Sequence, residues 1–239
     1  MVGSEPEFRR VPDVALRQLL ALLGRDLLLE SRRLQTLLGI VIFAVVAMVA
    51  VRYGWQAGPE ADSGHVPAAT LWVIFLFAAL LALGRTYAHE REDGCLDGLL
   101  LCPVDRVVIL AAKVAANLVL LLLAQVVTFP VFVVFFLPSG GGRVLACLPA
   151  VLLADVGLAT VGTLAATLVL HSRSRDLILP MVLVPLLLPV VIAVCSVTAA
   201  VVDRGEGFGD VVGRLGFLAA YDVVFLVVAW ATYDLLVSE

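Results

Sequence analysis

Two carboxylates (Asp155 and Asp222), one amine (Lys113) and one carboxamide (Asn117) stand inside runs that are otherwise almost wholly apolar. An ionisable side chain at the centre of a membrane helix costs about 2.5–3.5 kcal/mol on insertion scales. Its retention therefore points to a substrate path, a moving interface or a bond between helices. Asp155 stands eleven residues into its run, about 16 Å deep at a helical rise of 1.5 Å per residue. It shares a helix face with Ala159, Gly162 and Ala166, small residues that invite close packing. Two roles stay open for it. Either it lines a path or moving interface, or it is held by a hydrogen bond to Asn117 or a neighbouring threonine and braces the bundle. Lys113 lies about 9 Å from the edge of its run, within reach of the headgroups by snorkelling. Asp222 falls in the outer third of the last run, and Asp234 near its solvated end.

Soluble chemistry finds no footing. The chain lacks the G-x-x-x-x-G-K-[ST] phosphate loop, H-E-x-x-H and G-x-S-x-G. An ATPase, a zinc protease or a serine hydrolase is thereby excluded for this chain alone. Cys95, Cys102, Cys147 and Cys195 have no C-x-x-C spacing and read as structural. His65, His89 and His171 stand far apart, and none has a second histidine at a spacing that suggests paired metal ligation. Trp55, Trp72 and Trp230 are isolated and read as interface anchors.

The elements that must position these groups are membrane spans. Of 239 residues, 62% are hydrophobic and only 15% charged, with mean hydropathy +1.08. A soluble domain is about 45–50% apolar and about 25% charged. Six apolar runs stand out: Leu34–Val51, Pro67–Gly84, Val107–Leu137, Val144–Leu170, Leu177–Val202 and Leu215–Val237. Each is near or above the ~18 residues of a spanning helix. The first two need flanking residues to complete a span, and the third is long enough to tilt, or to break near Pro130. Twelve of the sixteen cations fall on the amino-terminal side of these spans, and four (Arg52, Arg143, Arg204, Arg214) on the other. The positive-inside rule then places both termini in the cytoplasm. The net charge of −4 says little, because its distribution matters more than its sum, and no nucleic-acid partner is expected.

Two cytoplasmic elements flank the first spans. Residues 11–33 carry Leu16, Leu19, Leu20, Leu23 and Leu27 at helical spacing, with Arg17, Arg25 and Arg32 toward the other side and Asp26 and Glu30 on the border. Such a helix lies in the membrane interface or packs on the loops. Between spans two and three, residues 85–106 begin with charge (Arg85, Glu90, Asp93), break at Gly94 and continue as a leucine patch (Leu96, Leu99) closed by Pro103. An exposed leucine patch beside a charged half fits a partner's groove or a re-entrant contact with the bundle.

Arg85, the pattern E-x-x-D-G-x-L-x-x-L-L-L-x-P from Glu90 to Pro103, and Lys113 resemble the CcmB family, the heme exporter permeases of cytochrome c maturation. So do Arg25-Asp26-Leu27, Glu30 and Arg32 before the first span, Leu71-Trp72 and Phe77 in the second, and Gly157, Gly162 and Thr163 in the fourth. Pro185-Leu-Leu-Leu-Pro189 in the fifth and Tyr221-Asp222 in the sixth complete the likeness, in order and over nearly the whole chain.

The resemblance implies an all-α ABC exporter permease: six transmembrane helices (residues 34–239), an elbow helix in residues 1–33 and a coupling helix within residues 85–106. It implies that Glu90, Asp93, Gly94, Leu96 and Leu99 dock on an ATPase. It implies bacterial or archaeal inner-membrane partners: the ATPase CcmA, which holds ATP and magnesium, CcmC, CcmD and the heme chaperone CcmE. Heme is then cargo and not a resident cofactor. One docking element per chain further requires a second copy or another membrane subunit. A different cargo (lipid, polysaccharide or drug) passing an opening lined by Thr160, Thr163 and Thr167 is the competing expectation, and an intramembrane enzyme has no supporting motif.

Overall fold

The computed structural model describes residues 11–32, 34–56, 68–84, 86, 105–136, 145–169, 172, 174–202 and 204–238. Among these the chain is all helical. The helices are α1 (Val11–Arg32), α2 (Leu34–Gln56), α3 (Ala68–Leu83), α4 (Arg106–Phe136), α5 (Leu148–Leu168), α6 (Arg175–Val202) and α7 (Phe208–Ser238), with a single 3-10 turn, Leu145–Cys147, leading into α5. Arg85, Glu90, Asp93, Gly94, Leu96, Leu99 and Pro103 lie outside the described residues, as do His65, His89 and His171 and the side chains of Glu30 and Arg32.

Among the described residues, five helices are long and apolar enough to cross a membrane: Leu37–Gly54, Arg106–Phe136, Leu145–Leu168, Leu177–Val202 and Gly209–Tyr233. The second expected span is the shorter apolar helix Ala68–Leu83. Its 16 residues rise about 24 Å, less than the ~30 Å hydrocarbon core. It is wrapped by other helices, with Leu71, Trp72, Phe75, Ala78, Ala79, Ala82 and Leu83 all buried.

Contacts between the helices fix their directions. Asn117 on α4 meets Thr163 on α5, and Gln125 meets Asp155. The pairing ascends on one helix and descends on the other, so the two are antiparallel. Gly157 of α5 lies against Asp222 of α7, while Leu164 and Ala229, each seven residues on, share a cluster with Tyr233. That pair of helices is parallel. Arg52 of α2 stands over the Phe136 ring of α4, 6.0 Å from its centroid, at the end opposite α1. The spans therefore alternate, and α1 and the close of α7 meet at one end, where Leu22 packs on the Tyr233 cluster.

The interior is built round α5. Ala154, Asp155, Ala159, Thr160, Val161, Thr163, Ala165 and Ala166 are all fully enclosed, because small side chains let the neighbouring helices close in. At Gly162 a Cβ would stand 2.9 Å from Leu83 Cγ and at Gly157 it would stand 2.6 Å from Asp222 Oδ1, so Leu83 or Asp222 would have to shift to admit a side chain. On the outside α2 and α7 present Leu38, Ile42, Val46, Val223, Val227 and Trp230, all exposed, which is what a bundle dissolved in acyl chains shows to its solvent.

Three expectations are corrected. α4 continues unbroken through Pro130 to Phe136. The proline costs one backbone bond, which a membrane helix tolerates when its neighbours or side chains re-satisfy the carbonyl. α7 starts at Phe208 and not at Leu215: Gly209, Asp210, Gly213 and Arg214 dilute hydropathy without stopping the helix. Trp72 is no interface anchor. It is 1% exposed and donates its Nε1–H to Thr198 Oγ1 on α6 at 3.0 Å.

Candidate functional site

Along α4 the polar residues Lys113, Asn117, Gln125 and Thr128 are buried. At 100° per residue they fall within about a third of the helix circumference, the third that faces α1, α5 and residue 86. Each has a defined partner, and together they form a polar seam through an apolar bundle.

At the α1 end, Lys113 Nζ pairs with Asp26 Oδ2 at 2.9 Å. Lys113 is 6% exposed, covered where its amine reaches the carboxylate that α1 brings to it, and Asp26 is itself held by Arg25 at 3.0 Å. The pair ties α1 to the bundle. Leu16, Leu20 and Leu28 of α1 remain exposed.

One turn further, Asn117 Nδ2 donates to Thr163 Oγ1 at 2.8 Å and to Thr86 Oγ1 at 3.2 Å. Thr86 in turn donates to the Leu83 carbonyl at 2.7 Å. Asn117 thus joins α4, α5 and the chain leaving α3. Near the middle, Gln125 Nε2 donates to Asp155 Oδ1 at 2.8 Å. Asp155 is 0% exposed, and its Oδ2 has no hydrogen-bond partner among the described residues. The partner expected for Asp155 is Asn117 or a threonine. The structure gives Gln125, because Asn117 is committed two turns away. Sequence reasoning misses Gln125, although its phase with Lys113 and Asn117 carries the signal.

Asp222 stands apart from this seam. It is 4% exposed, its Oδ1 abuts Gly157, and neither carboxylate oxygen has a hydrogen-bond partner among the described residues. Its neighbour Tyr221 donates its hydroxyl to the Leu186 carbonyl of α6, between Pro185 and Pro189. A proline leaves the carbonyl four residues before it without its helical donor; with Pro180, Pro185 and Pro189 inside α6 these are the carbonyls of Asp176, Met181 and Pro185, the last of them next to the Leu186 carbonyl that Tyr221 bonds. At the end away from α1, Arg214 donates to the Ser196 carbonyl and to Glu206, each at 3.4 Å, and Arg204 pairs with Glu206 at 2.7 Å. These contacts bind α6 and α7 into a hairpin.

Among the described residues no group of three or more His, Cys, Asp or Glu could hold a metal. The polar atoms bind each other across helices, and none is arranged as a nucleophile beside a base. Fold and site together define a multi-pass helical membrane protein with a polar-braced core.

The model of the family described as CcmB protein matches residues 17–234. A heme exporter protein B of Rhodobacter capsulatus is 32% identical over 72% of this chain and 78% of its own length. One of Paracoccus denitrificans is 30% identical over 87% of this chain and 93% of its own, and one of Pseudomonas aeruginosa is 29% identical over 72% and 76%. The chain belongs to the CcmB family.

Proposed function

We propose that this chain is the non-catalytic membrane permease subunit of an ABC transporter complex serving cytochrome c biogenesis. ATP is hydrolysed by a cytoplasmic partner of the CcmA kind, and the spans convert that motion into heme export or into release of a heme-loaded chaperone. The family match over residues 17–234 carries this reading. Both termini face the cytoplasm, as the distribution of arginines requires. Residues 85–106 meet the ATPase: Glu90 and Asp93 answer basic groups on it, Leu96 and Leu99 fill its groove, and Gly94 and Pro103 bound the element.

Thr86, at the start of that segment, supports a mechanical role. Its bonds to Asn117 and to the Leu83 carbonyl, and that of Asn117 to Thr163, give a rigid path from the docking segment to α5. Lys113 and Asp26 couple α1 to the same path. CcmC, CcmD and CcmE complete the complex, and a second copy or another membrane subunit supplies the second docking element.

Mass spectrometry of what co-purifies from gently solubilised host membranes tests the reading. An ATPase together with a heme-handling subunit supports it. An ATPase with envelope-lipid proteins keeps the permease role but overturns heme.

A further inference from the structure

Two of the prolines inside α6, Pro185 and Pro189, stand about one turn apart. Neither has an N–H, so the carbonyls of Met181 and Pro185 lose their helical donors in succession. Residues 181 and 185 are four apart and lie on one side of the helix. Both are exposed, so α6 is weakened along its outward side. Backbone bonds missing from one side are what lets a helix bend there.

The two halves that meet at this point are held very differently. From Val190 to Val202, the half away from α1, nine of thirteen residues are buried. From Leu177 to Val184, the half toward α1, two of eight are buried, Leu179 and Leu183. The first half is also bonded to its neighbours: Thr198 accepts from Trp72 of α3, and the Ser196 carbonyl accepts from Arg214 of α7. Its Val190 rests on Gly157 of α5, with a methyl 3.4 Å from where a Cβ would stand. At the join, Tyr221 of α7 donates to the Leu186 carbonyl. The Tyr221 ring is stacked on Phe225, centroids 4.5 Å apart, which fixes the direction of its hydroxyl. A segment with few buried side chains opens before one with many, and here that segment is the half toward α1.

The same half packs beside the docking segment. Leu179 lies 3.7 Å from where a Cβ of Gly84 would stand, and the segment opens at the next residue.

We propose that α6 is hinged between Met181 and Pro189: residues 175–184 swing about the Tyr221–Leu186 bond while Val190–Val202 stays seated on its neighbours. Eight residues, about 12 Å of helix, separate Leu177 from Pro185. A change in bend of about 20° therefore carries Leu177 about 4 Å sideways. That the docking segment drives the swing through Leu179 rests on the functional reading above; the hinge itself does not.

Electron–electron resonance distances between nitroxide labels test it, with the purified chain in nanodiscs and its four native cysteines replaced. All labels go to exposed positions. Leu177→Cys is paired with Leu81→Cys on α3 and, separately, with Trp230→Cys on α7, so the swing is viewed from two sides. Ile192→Cys, paired with Phe77→Cys and with Val223→Cys, gives the width that a seated half shows.

At least one Leu177 distribution should be broader than the Ile192 distributions by about 4 Å. Pro185→Ala/Pro189→Ala supplies both missing donors and should narrow it to the width of the seated half. Tyr221→Phe removes the bond at the pivot and should widen it further. A fraying helix end would broaden the Leu177 distances too, but would ignore substitutions at 185 and 189. Leu177 distributions as narrow as those of Ile192, or a width that the alanine pair leaves unchanged, overturn the hinge whatever the host phenotype. Widths that Tyr221→Phe does not change overturn its place at the pivot. Narrowing by the alanine pair with unchanged holocytochrome c in the host would leave the hinge standing and overturn its link to the docking segment.

Discussion

Gly162→Ala is the sharpest test of how tightly this bundle is closed. The new Cβ would stand 2.5 Å from Leu83 Cδ2 and 2.9 Å from Leu83 Cγ, where carbon atoms rest at about 3.5–4.0 Å. Leu83 must therefore retreat by about 1 Å, and at 0% exposure it has no free volume to enter. Overpacking of this kind costs about 1–3 kcal/mol, about a five- to 150-fold change in the ratio of unfolded to folded chain. Thermal denaturation in detergent, followed by size-exclusion recovery, should show the loss. Leu83→Ala alone creates a cavity at about 2–5 kcal/mol. The double variant should nonetheless be more stable than the sum of the two losses predicts, because the added methyl enters the space the leucine vacates. A Gly162→Ala chain that melts like its parent, or losses that simply add, would refute the close α3–α5 approach.

Gly39 gives the opposite expectation: nothing lies within 4 Å of an added Cβ, so Gly39→Ala should be neutral or raise stability by up to about 1 kcal/mol, as helix propensity allows, in the same melt. Asp155→Asn keeps an acceptor for Gln125 and should hold stability, whereas Asp155→Leu strands the Gln125 amide and should cost about 1–3 kcal/mol; holocytochrome c levels with Asp155→Asn then read whether the charge itself matters. For the buried ion pair, Lys113→Met with Asp26→Asn should restore much of the stability lost in Asp26→Asn alone, since a buried charge deprived of its partner costs more than an absent pair; protease resistance of α1 would report it.

The spans were legible because an unbroken apolar run has one consequence in lipid: every backbone group bonds within its own helix. The start of α7 was not, since Gly209, Asp210, Gly213 and Arg214 lower hydropathy while remaining compatible with a helix. The polar candidates Lys113, Asn117, Asp155 and Asp222 could be picked out by their rarity in apolar surroundings. Their partners could not, because Asp26–Lys113 and Gln125–Asp155 join distant segments whose register depends on packing. Gly157 and Gly162 were readable as packing glycines, but what fills each notch, Asp222 in one and Leu83 in the other, is a fact of three dimensions. Trp72 was misread for the same reason: its indole N–H needs a partner, and Thr198 supplies one within the core.

The burial of Lys113 has a practical consequence for anyone mapping the complex. It is the single lysine of the sequence, and its side chain is 8% exposed and engaged with Asp26. Amine-directed cross-linkers, the usual reagents for charting which chains touch, therefore find no accessible lysine side chain on this one. Maps drawn with them would show a gap where the permease sits, and the gap would be mistaken for absence of contact. Carboxylate- or arginine-directed coupling has to be used instead.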